Sequence, residues 1–202
     1  KDEASDISLF HGHSIGSSTC DYDNDGDMDI FVPNVNTQDF LFKNENGSFE
    51  RTFINQLTNT DFNSVGSSWG DVDNDGDFDL LVIHAGKQTN EIFINDGNGS
   101  FQKDFTFANL DSNASHGSVI FDIDNDGDLD IFITNDNQSA NQLLLNNGGG
   151  QFKEINAGIN EFSFHSFGTA ISDFDRDGDY DLFIANHSKQ SNEFLINERA
   201  SC

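Results

Sequence analysis

A nine-residue acidic segment occurs four times, and this repeat constrains the fold more than any other feature of the sequence. Each copy has Asp at its first, third, fifth, seventh and ninth positions and Gly at its sixth. The copies are Asp21–Asp29, Asp71–Asp79, Asp122–Asp130 and Asp173–Asp181, so successive copies start 50 or 51 residues apart. A fixed period of this length is typical of an array of similar structural units. We therefore expect residues 1–202 to form one domain of four repeats, at approximately 10–58, 59–110, 111–160 and 161–202.

The residues on either side of each acidic segment predict short β-strands. A Ser-x-Gly-Ser or Ser-x-Gly-Thr sequence precedes each acidic loop, and an apolar triplet such as Ile30–Val32 follows it. A polar loop then leads to a second apolar run. In the first three repeats, a turn rich in Asn and Gly continues to Phe49, Phe101 or Phe152. Short apolar runs between turn residues indicate an all-β protein, and a four-stranded unit repeated every ~50 residues is typical of a β-propeller blade.

We therefore predict a β-propeller of four blades, each a four-stranded antiparallel sheet with the acidic loop between its first and second strands. Propellers usually close with about 4 to 8 blades, so four could complete a ring, and an open solenoid or part of a larger ring is the alternative. The fourth repeat ends soon after its third strand. Its unpaired edge could be completed by residues 1–10 or by a strand from another copy of the chain, and strand exchange between copies would allow a filament. Loss of the fourth strand through processing is the third alternative.

The acidic loop has the composition of a calcium site. A sharp turn at the Gly aims the carboxylates of the first, third, fifth and ninth positions at one point, and the seventh residue can add its backbone carbonyl. Such a crowded cage of hard oxygens suits Ca²⁺ better than Mg²⁺, which retains its waters. A metal-free turn is the alternative, although five Asp in nine residues repel one another without a counter-ion. We predict about four Ca²⁺, in loops that contain Asp21, Asp23, Asp25, Asp27, Asp29, Asp71, Asp73, Asp75, Asp77, Asp79, Asp122, Asp124, Asp126, Asp128, Asp130, Asp173, Asp175, Asp177, Asp179 and Asp181.

These loops are not EF-hands, because their twelfth position is Val or Ile rather than Glu. Ser-x-Gly, the Asp-rich loop and the following apolar triplet together resemble the FG-GAP or VCBS-type repeat of integrin α-subunit propellers. That resemblance implies a calcium loop in every blade, with the first, third, fifth and ninth Asp and the seventh carbonyl as ligands. The sequence departs from the family in its shorter repeats and keeps only Phe167-Gly168 of the Phe-Gly signature. The resemblance therefore does not fix the number of blades.

Charge narrows the classes of partner. The chain has 36 acidic and 9 basic residues, for a formal net charge of −27. Nucleic acids and anionic membranes are bound by Lys and Arg clusters, so we expect neither as a partner. The longest apolar runs, such as Leu80–Ile83, are too short to insert into a membrane. We expect a secreted, extracellular module for adhesion, recognition or structure that binds a protein or a glycan.

In the family that the sequence resembles, the face opposite the calcium loops usually carries the binding function. The corresponding aligned positions here hold Asn34, His84, Asn135 and Asn186, followed by His187. A ring of Asn and His could hydrogen-bond a sugar, which would make the protein a calcium-dependent lectin. The alternative is that Asn simply suits turns and that the His side chains are solvated.

Catalysis is not expected from this sequence. No Gly-x-Ser-x-Gly elbow and no zinc-type His/Cys cluster occurs. The remaining enzymatic alternative is a calcium-dependent, polysaccharide-active enzyme such as a lyase. Its histidines would converge at the centre of the ring, and the candidates are His84, His116, His165 and His187.

Two features concern covalent modification. Cys20 and Cys202 are the only cysteines, and blades 1 and 4 would be neighbours in a closed ring. We predict a disulfide between them, with two free thiols or pairing between chains as the alternatives. Five Asn-x-Ser sequons are candidate N-glycosylation sites, although an Asn-rich chain contains some by chance; they begin at Asn46, Asn98, Asn113, Asn137 and Asn186.

Overall fold

The structure is a computed structural model that describes residue 7 and residues 10–54, 56–58, 62–86, 88–107, 114–137, 139–156 and 165–198. The described residues form fifteen β-strands in four antiparallel sheets, without an α-helix. The all-β prediction is therefore confirmed. The described residues also contain no helix that is long and apolar enough to cross a membrane.

Each sheet is one repeat, and its strands follow chain order from the innermost outward. Blade 1 contains β1 (Ser18–Cys20), β2 (Asp29–Val32), β3 (Phe40–Glu45) and β4 (Ser48–Thr52). Blade 2 contains β5 (Ser64–Gly70), β6 (Asp79–His84), β7 (Glu91–Asn95) and β8 (Phe101–Lys103). Blade 3 contains β9 (Ser115–Phe121), β10 (Asp130–Asn135), β11 (Gln142–Asn146) and β12 (Phe152–Ile155). Blade 4 contains β13 (Ser166–Ser172), β14 (Asp181–Asn186) and β15 (Glu193–Leu195).

The second strands of blades 2 and 3 are buried on both faces because each of these blades lies between two other blades. All six residues of β6 are buried, as are all six residues of β10. Three apolar clusters fill the spaces between blades 1 and 2, blades 2 and 3, and blades 3 and 4. The run Leu80–Ile83 thus supplies side chains to two different clusters, which explains why it does not alternate with polar residues.

A β-bulge interrupts the first strand in three of the blades. The register shifts between Ser64 and Gly66 in β5, and the equivalent shift occurs in β9 and β13. The bulged residues are Val65, His116 and Phe167, which occupy the variable position of the Ser-x-Gly sequence. Bulges re-aim side chains, and these three lie at the end of the blades opposite the acidic loops.

The blades form an open array. Inner strands are neighbours in the order β1, β5, β9 and β13, and no strand of blade 4 packs extensively against blade 1 in the described part of the chain. Four consecutive blades are consistent with a propeller, but here they do not close a ring. Among the described residues, blade 4 has three strands and ends at β15. Residues 1–6, 8–9 and 199–202 lie outside the described set, so completion of this blade stays a prediction.

Candidate metal centres

The acidic loops connect the first and second strands of each blade, as predicted. Each loop is curled by two residues with left-handed backbone. In the first loop these are Asn24, with φ of 58°, and Gly26, with φ of 93°. A Cβ atom added at Gly26 would meet no atom within 4 Å, so it is the backbone angle that requires glycine here. The equivalent pairs in the other loops have φ between 56° and 102°.

Three carboxylates meet in every loop, from its first, third and ninth positions. In each group, one oxygen from each of the three residues lies within 4.8 Å of the other two. Among the described residues, clusters of three or more metal-binding side chains occur only in these loops. The groups are Asp21, Asp23 and Asp29; Asp71, Asp73 and Asp79; Asp122, Asp124 and Asp130; and Asp173, Asp175 and Asp181.

The ninth Asp is the buried anchor of the loop. Asp79 accepts hydrogen bonds from the backbone N–H groups of Val72 and Asn95, each at 2.9 Å. Burial, and to a lesser degree the neighbouring Asp charges, raise the pKa of Asp79 to about 7 and those of Asp29 and Asp130 to about 6. These carboxylates therefore resist ionisation without a cation, and a divalent ion would favour their charged form.

The fifth and seventh positions have other roles in the described geometry. The fifth carboxylate, as in Asp75, accepts the backbone N–H of the seventh residue at 3.0 Å and lies outside the group of three. The seventh carboxylate reaches toward the preceding blade, where Asp77 accepts a hydrogen bond of 2.7 Å from the side chain of Asn24. The predicted role of the seventh residue as a carbonyl ligand stays a prediction.

The donor set fits a calcium ion. Asp23 Oδ1 is buried and has no hydrogen-bond partner. An orphaned carboxylate oxygen facing two further carboxylates is what a hard cation would satisfy. The ligands that would hold it are the three carboxylates of each loop.

Loop 1 differs from the others in a way that the sequence pattern did not indicate. Lys43 Nζ lies 2.7 Å from Asp23 Oδ2, 3.3 Å from Asp25 Oδ2 and 2.8 Å from Glu45 Oε1. Hydrogen bonds to these carboxylates, that of Asp23 foremost, raise the pKa of Lys43. The other repeats have Ile or Leu at the aligned position. Among the described residues, this is the one acidic loop whose carboxylates contact an ammonium group.

Most of the predicted ligand face is buried inside the blades. Asn34, His84 and Asn135 have 0% exposure. Asn135 accepts a hydrogen bond from Ser115 and donates to the carbonyl of Ala140, so it ties the inner strand to the loop between the second and third strands. Their hydrogen bonds give these residues a structural role here.

The other predicted ligand-face residues are accessible. Asn186 is half-buried and makes the same type of tie in blade 4, whereas the side chain of His187 is exposed. His84 is buried, where it pairs with Glu91 and Ser64. The convergence of His84 with the other three histidines stays a prediction.

The other three histidines lie near one another on the face opposite the acidic loops. His165 hydrogen-bonds Asp136, whose second carboxylate oxygen lies 3.5 Å from His116 Nε2. The His116 ring stacks on Phe167 at 4.1 Å between centroids, and Phe167 contacts His187 at 5.1 Å. Phe167 is 38% exposed, so this group, the His/Phe patch, is open to solvent. Asp136 and Phe167 were not predicted as site residues. The available signal for Phe167 was its place at the variable position of the Ser-x-Gly sequence.

The candidate glycosylation sites and the cysteines differ in their exposure. Asn46, Asn98 and Asn137 are exposed, Asn186 is half-buried, and Asn113 lies outside the described residues. Cys20 is buried, and burial raises the pKa of its thiol to about 12. Cys202 lies outside the described residues, so the disulfide stays a prediction.

Comparison with known proteins decides the family. The sequence model of the FG-GAP-like repeat matches residues 21–82, 79–133 and 122–184. The chain belongs to the FG-GAP-like repeat family. This confirms the resemblance drawn from the Asp-rich loops, and the matched residues contain all four loops.

The known proteins that resemble this FG-GAP-like chain include the following two. Cartilage acidic protein 1 of Xenopus tropicalis is 28% identical over 211 residues, which cover 91% of the chain and 32% of that protein. The chain thus spans about a third of this curated relative. A solved structure of an Agrocybe aegerita lectin, described as recognising non-reducing terminal N-acetylglucosamine, matches with a TM-score of 0.55 and 17% identity. The match covers 94% of the chain and 54% of the lectin, and it supports the propeller-type fold alone.

Proposed function

We propose that this chain is a calcium-binding propeller module for extracellular recognition or adhesion. The observation that carries the proposal is the recurrence of the same group of three carboxylates in all four acidic loops. Four such groups at one end of the blades would bind about four Ca²⁺ and fix the loops. Family membership and the propeller-type fold support a recognition module rather than an enzyme.

The opposite end of the blades would carry the ligand. The His/Phe patch offers an accessible aromatic ring, imidazole nitrogens and a carboxylate within one small area. Burial lowers the pKa of His116, so this imidazole is neutral near pH 7 and its nitrogens can donate or accept a hydrogen bond. A glycan or a polar protein surface suits this combination of apolar and hydrogen-bonding groups.

Extracellular location is the compartment that fits both features. Calcium sites built from exposed surface loops are typical of extracellular modules, where the ion is abundant. The exposed Asn46 and Asn137 sequons are compatible with glycosylation during secretion.

Two measurements test this function. Native mass spectrometry in calcium should show up to four bound ions, and chelation should remove them. A glycan array and an extracellular-protein array, probed in calcium, should give binding that Phe167→Ala weakens and the exposed control Phe105→Ala leaves unchanged. A native mass without bound calcium ions would contradict the metal proposal. Equal binding of Phe167→Ala and Phe105→Ala to the arrays would contradict the assignment of ligand binding to the His/Phe patch.

A calcium-dependent, polysaccharide-active enzyme is the second candidate, and the pairing of His165 with Asp136 is the observation that favours it. A carboxylate can orient an imidazole for general base catalysis. Polysaccharides that bind on the array should be incubated with the protein and analysed for chain cleavage. Cleavage that His165→Ala abolishes would establish the enzyme, and binding without cleavage would establish recognition.

A further inference from the structure

Adjacent blades are joined by a short chain of side-chain hydrogen bonds at the end opposite the acidic loops. Between blades 2 and 3, Asn90 donates to Ser115 Oγ at 2.8 Å, and Ser115 donates to Asn135 Oδ1 at 2.8 Å. The equivalent chain between blades 3 and 4 has distances of 3.1 and 2.8 Å and consists of Asn141, Ser166 and Asn186. Amides and hydroxyls do not titrate near neutral pH, so these two chains have a fixed number of protons.

The chain between blades 1 and 2 has an ionisable residue at each end. Asp39 stands at the position of Asn90, and His84 stands at the position of Asn135. Ser64 Oγ donates to Asp39 Oδ2 at 2.8 Å and lies 3.3 Å from His84 Nδ1. The serine is therefore kept in all three chains, while its two neutral partners are replaced by an acid and a base in this chain.

Glu91 and Lys103 extend this chain into blade 2. His84 Nε2 lies 3.2 Å from Glu91 Oε2, and the other oxygen of Glu91 pairs with Lys103. The charged groups that face the imidazole are thus Asp39 through Ser64 on one side, and Glu91 with Lys103 on the other. Asp39, Ser64, His84 and Glu91 are at most 3% exposed, so water does not replace a hydrogen bond that is lost among them.

The positions of the protons follow from which of these groups can donate. Burial opposes ionisation of Glu91, but hydrogen bonds from His84 and Lys103 lower its pKa, so Glu91 is ionised and only accepts. His84 Nε2 must therefore donate. An ionised Asp39 also only accepts, so Ser64 uses its one proton on Asp39 and must accept a second proton from His84 Nδ1.

This count requires one proton more than a carboxylate and a neutral imidazole hold together. The same proton can lie at the other end of the chain, where Asp39 donates to Ser64 and Ser64 donates to His84 Nδ1. Rotation of the Ser64 hydroxyl converts one arrangement into the other. The proton therefore belongs to the pair of residues rather than to either one.

We propose that Asp39 and His84 share one proton through Ser64, and that this proton makes the contact between blades 1 and 2 sensitive to pH. With the proton, each of the three hydrogen bonds from Asp39 to Glu91 has its own donor. Without it, two buried acceptors face each other.

The direction of the pH effect follows from linkage. Burial raises the pKa of Asp39 to about 6, in agreement with a carboxylate that holds a proton more tightly in the folded protein. The contribution of the shared proton is therefore lost as the pH rises. The neutral chains of the other two contacts lack this dependence, so the effect is confined to one contact between blades.

NMR at pH 7 in calcium-containing buffer tests the position of the proton. The ¹⁵N shifts of the His84 ring and the ¹³C shift of the Asp39 carboxyl should show either a doubly protonated ring or a protonated carboxyl. In Asp39→Asn the new amide can donate to Ser64, so the ring needs only its Nε2 proton and should be neutral. The exposed His187 is the internal control and should have the same shifts in both proteins. An ionised Asp39 beside a neutral His84 in the wild type would overturn the proposal.

A double-mutant cycle tests whether the proton couples the two residues. At pH 7, His84→Asn should raise the unfolding equilibrium constant at least about tenfold more in the wild type than in Asp39→Asn, because the double variant has the neutral chain of the other contacts. Protonation of Asp39 at pH 5 should remove most of this difference. A packing role of His84 alone would give equal effects in both backgrounds, and that result would overturn the proposal. If His84→Asn does not fold, NMR of the wild type and Asp39→Asn still decides.

Hydrogen exchange tests where the effect lies. The Ser64 backbone N–H donates to the carbonyl of Asn34 across this contact at 3.1 Å. Its protection, corrected for the intrinsic exchange rate, should fall at least about tenfold between pH 6 and pH 9 in the wild type. It should stay constant in the variant with both Asp39→Asn and His84→Asn. Constant protection in the wild type as well would overturn the proposed pH sensitivity of the contact.

Discussion

Replacing Asp73 by Asn should have opposite effects on stability with and without calcium. Asp73 is the third residue of loop 2, and its carboxylate lies within 4.8 Å of those of Asp71 and Asp79. Asp77→Asn is the matched control, because it removes the same charge from the same loop. The Asp77 carboxylate lies outside the group of three and accepts the Asn24 side chain, a role that the Asn oxygen can also fill.

Without calcium, repulsion between the carboxylates determines how Asp73→Asn changes the stability of the fold. Two unit charges 4.8 Å apart repel by about 1 kcal/mol in water and by about 3 kcal/mol at an effective dielectric constant of ~20. Partial exposure of Asp71 and Asp73 places the value nearer the lower limit. Burial, and then the charge of Asp75, raise the pKa of Asp73, in agreement with an unfavourable ionised form. Asp73→Asn should therefore stabilise the metal-free protein by about 1 kcal/mol.

With calcium, the linkage between ion binding and folding determines how Asp73→Asn changes the stability of the fold. An ion that binds only the folded protein contributes about 2.7 kcal/mol at a concentration one hundred times its Kd. Loss of one carboxylate from the group of three should remove most of this contribution. We therefore expect Asp73→Asn to lower the free energy of unfolding by about 2 kcal/mol in calcium. Asp77→Asn should change it by less than about 0.5 kcal/mol, as is usual for surface positions.

Denaturant unfolding of the three proteins, in calcium and in EGTA, measures both signs. Calorimetric titration should count one ion fewer in Asp73→Asn than in the wild type or in Asp77→Asn. Equal shifts for the two variants in both buffers would refute the assignment of the first, third and ninth carboxylates as ligands. An unfolding midpoint of the wild type that EGTA does not change would refute calcium linkage altogether.

Three further predictions concern single positions. Asp39→Asn introduces the residue that the other repeats have at this position, and it removes a carboxyl whose pKa burial raises from 3.8 to about 6. The wild type loses stability as pH rises from about 4 to 6, because the folded state holds this proton more tightly than the unfolded state does. Chemical unfolding should therefore show that Asp39→Asn is about 1 to 3 kcal/mol more stable than the wild type above pH 6. Below pH 4 the variant should show no gain in stability. Gly117→Ala would place a Cβ 2.6 Å from a carbonyl of the next blade and should cost about 1 to 3 kcal/mol, whereas the Gly16→Ala Cβ meets its nearest atom at 3.9 Å and should change little in the same assay. A disulfide between Cys20 and Cys202 should appear as a linked peptide pair in non-reducing mass spectrometry, and detection of both free thiols would exclude it.

The local structure could be predicted because it is encoded in short segments. The Gly and Asp spacing of each loop defines a tight turn, and the apolar triplets define strands buried on both faces. These features need no information about distant residues. The same reasoning placed the first, third, fifth and ninth carboxylates together. The structure brings the first, third and ninth together, whereas the fifth accepts the backbone N–H of the seventh residue.

Features that depend on packing between blades could not be predicted from the period. Closure of the ring depends on a small rotation summed over all blades, and no residue pattern specifies that angle. The Asn residues at the opposite end were predicted as a ligand face because they recur, but Asn34 and Asn135 recur because each repeat needs a buried hydrogen-bonding tie. Lys43 reaches loop 1 from a strand position that is apolar elsewhere, so only the folded structure reveals its contact with the carboxylate of Asp23.

The acidic loops combine the groups of three carboxylates with hydrogen bonds between blades in one turn. The left-handed fourth residue projects its side chain toward the next blade, where Asn24 meets Asp77 and Asn74 meets Asp128. Asp77, which accepts the hydrogen bond from Asn24, belongs to the acidic loop of the next blade. Within that loop, the Asp77 backbone N–H donates to the carboxylate of Asp75. An ion that orders one loop therefore also orders the acceptor that the preceding blade uses. The proposed calcium binding would thus be coupled to the stacking of blades through these hydrogen bonds, which gives the seventh Asp a role although its carboxylate lies outside the group of three.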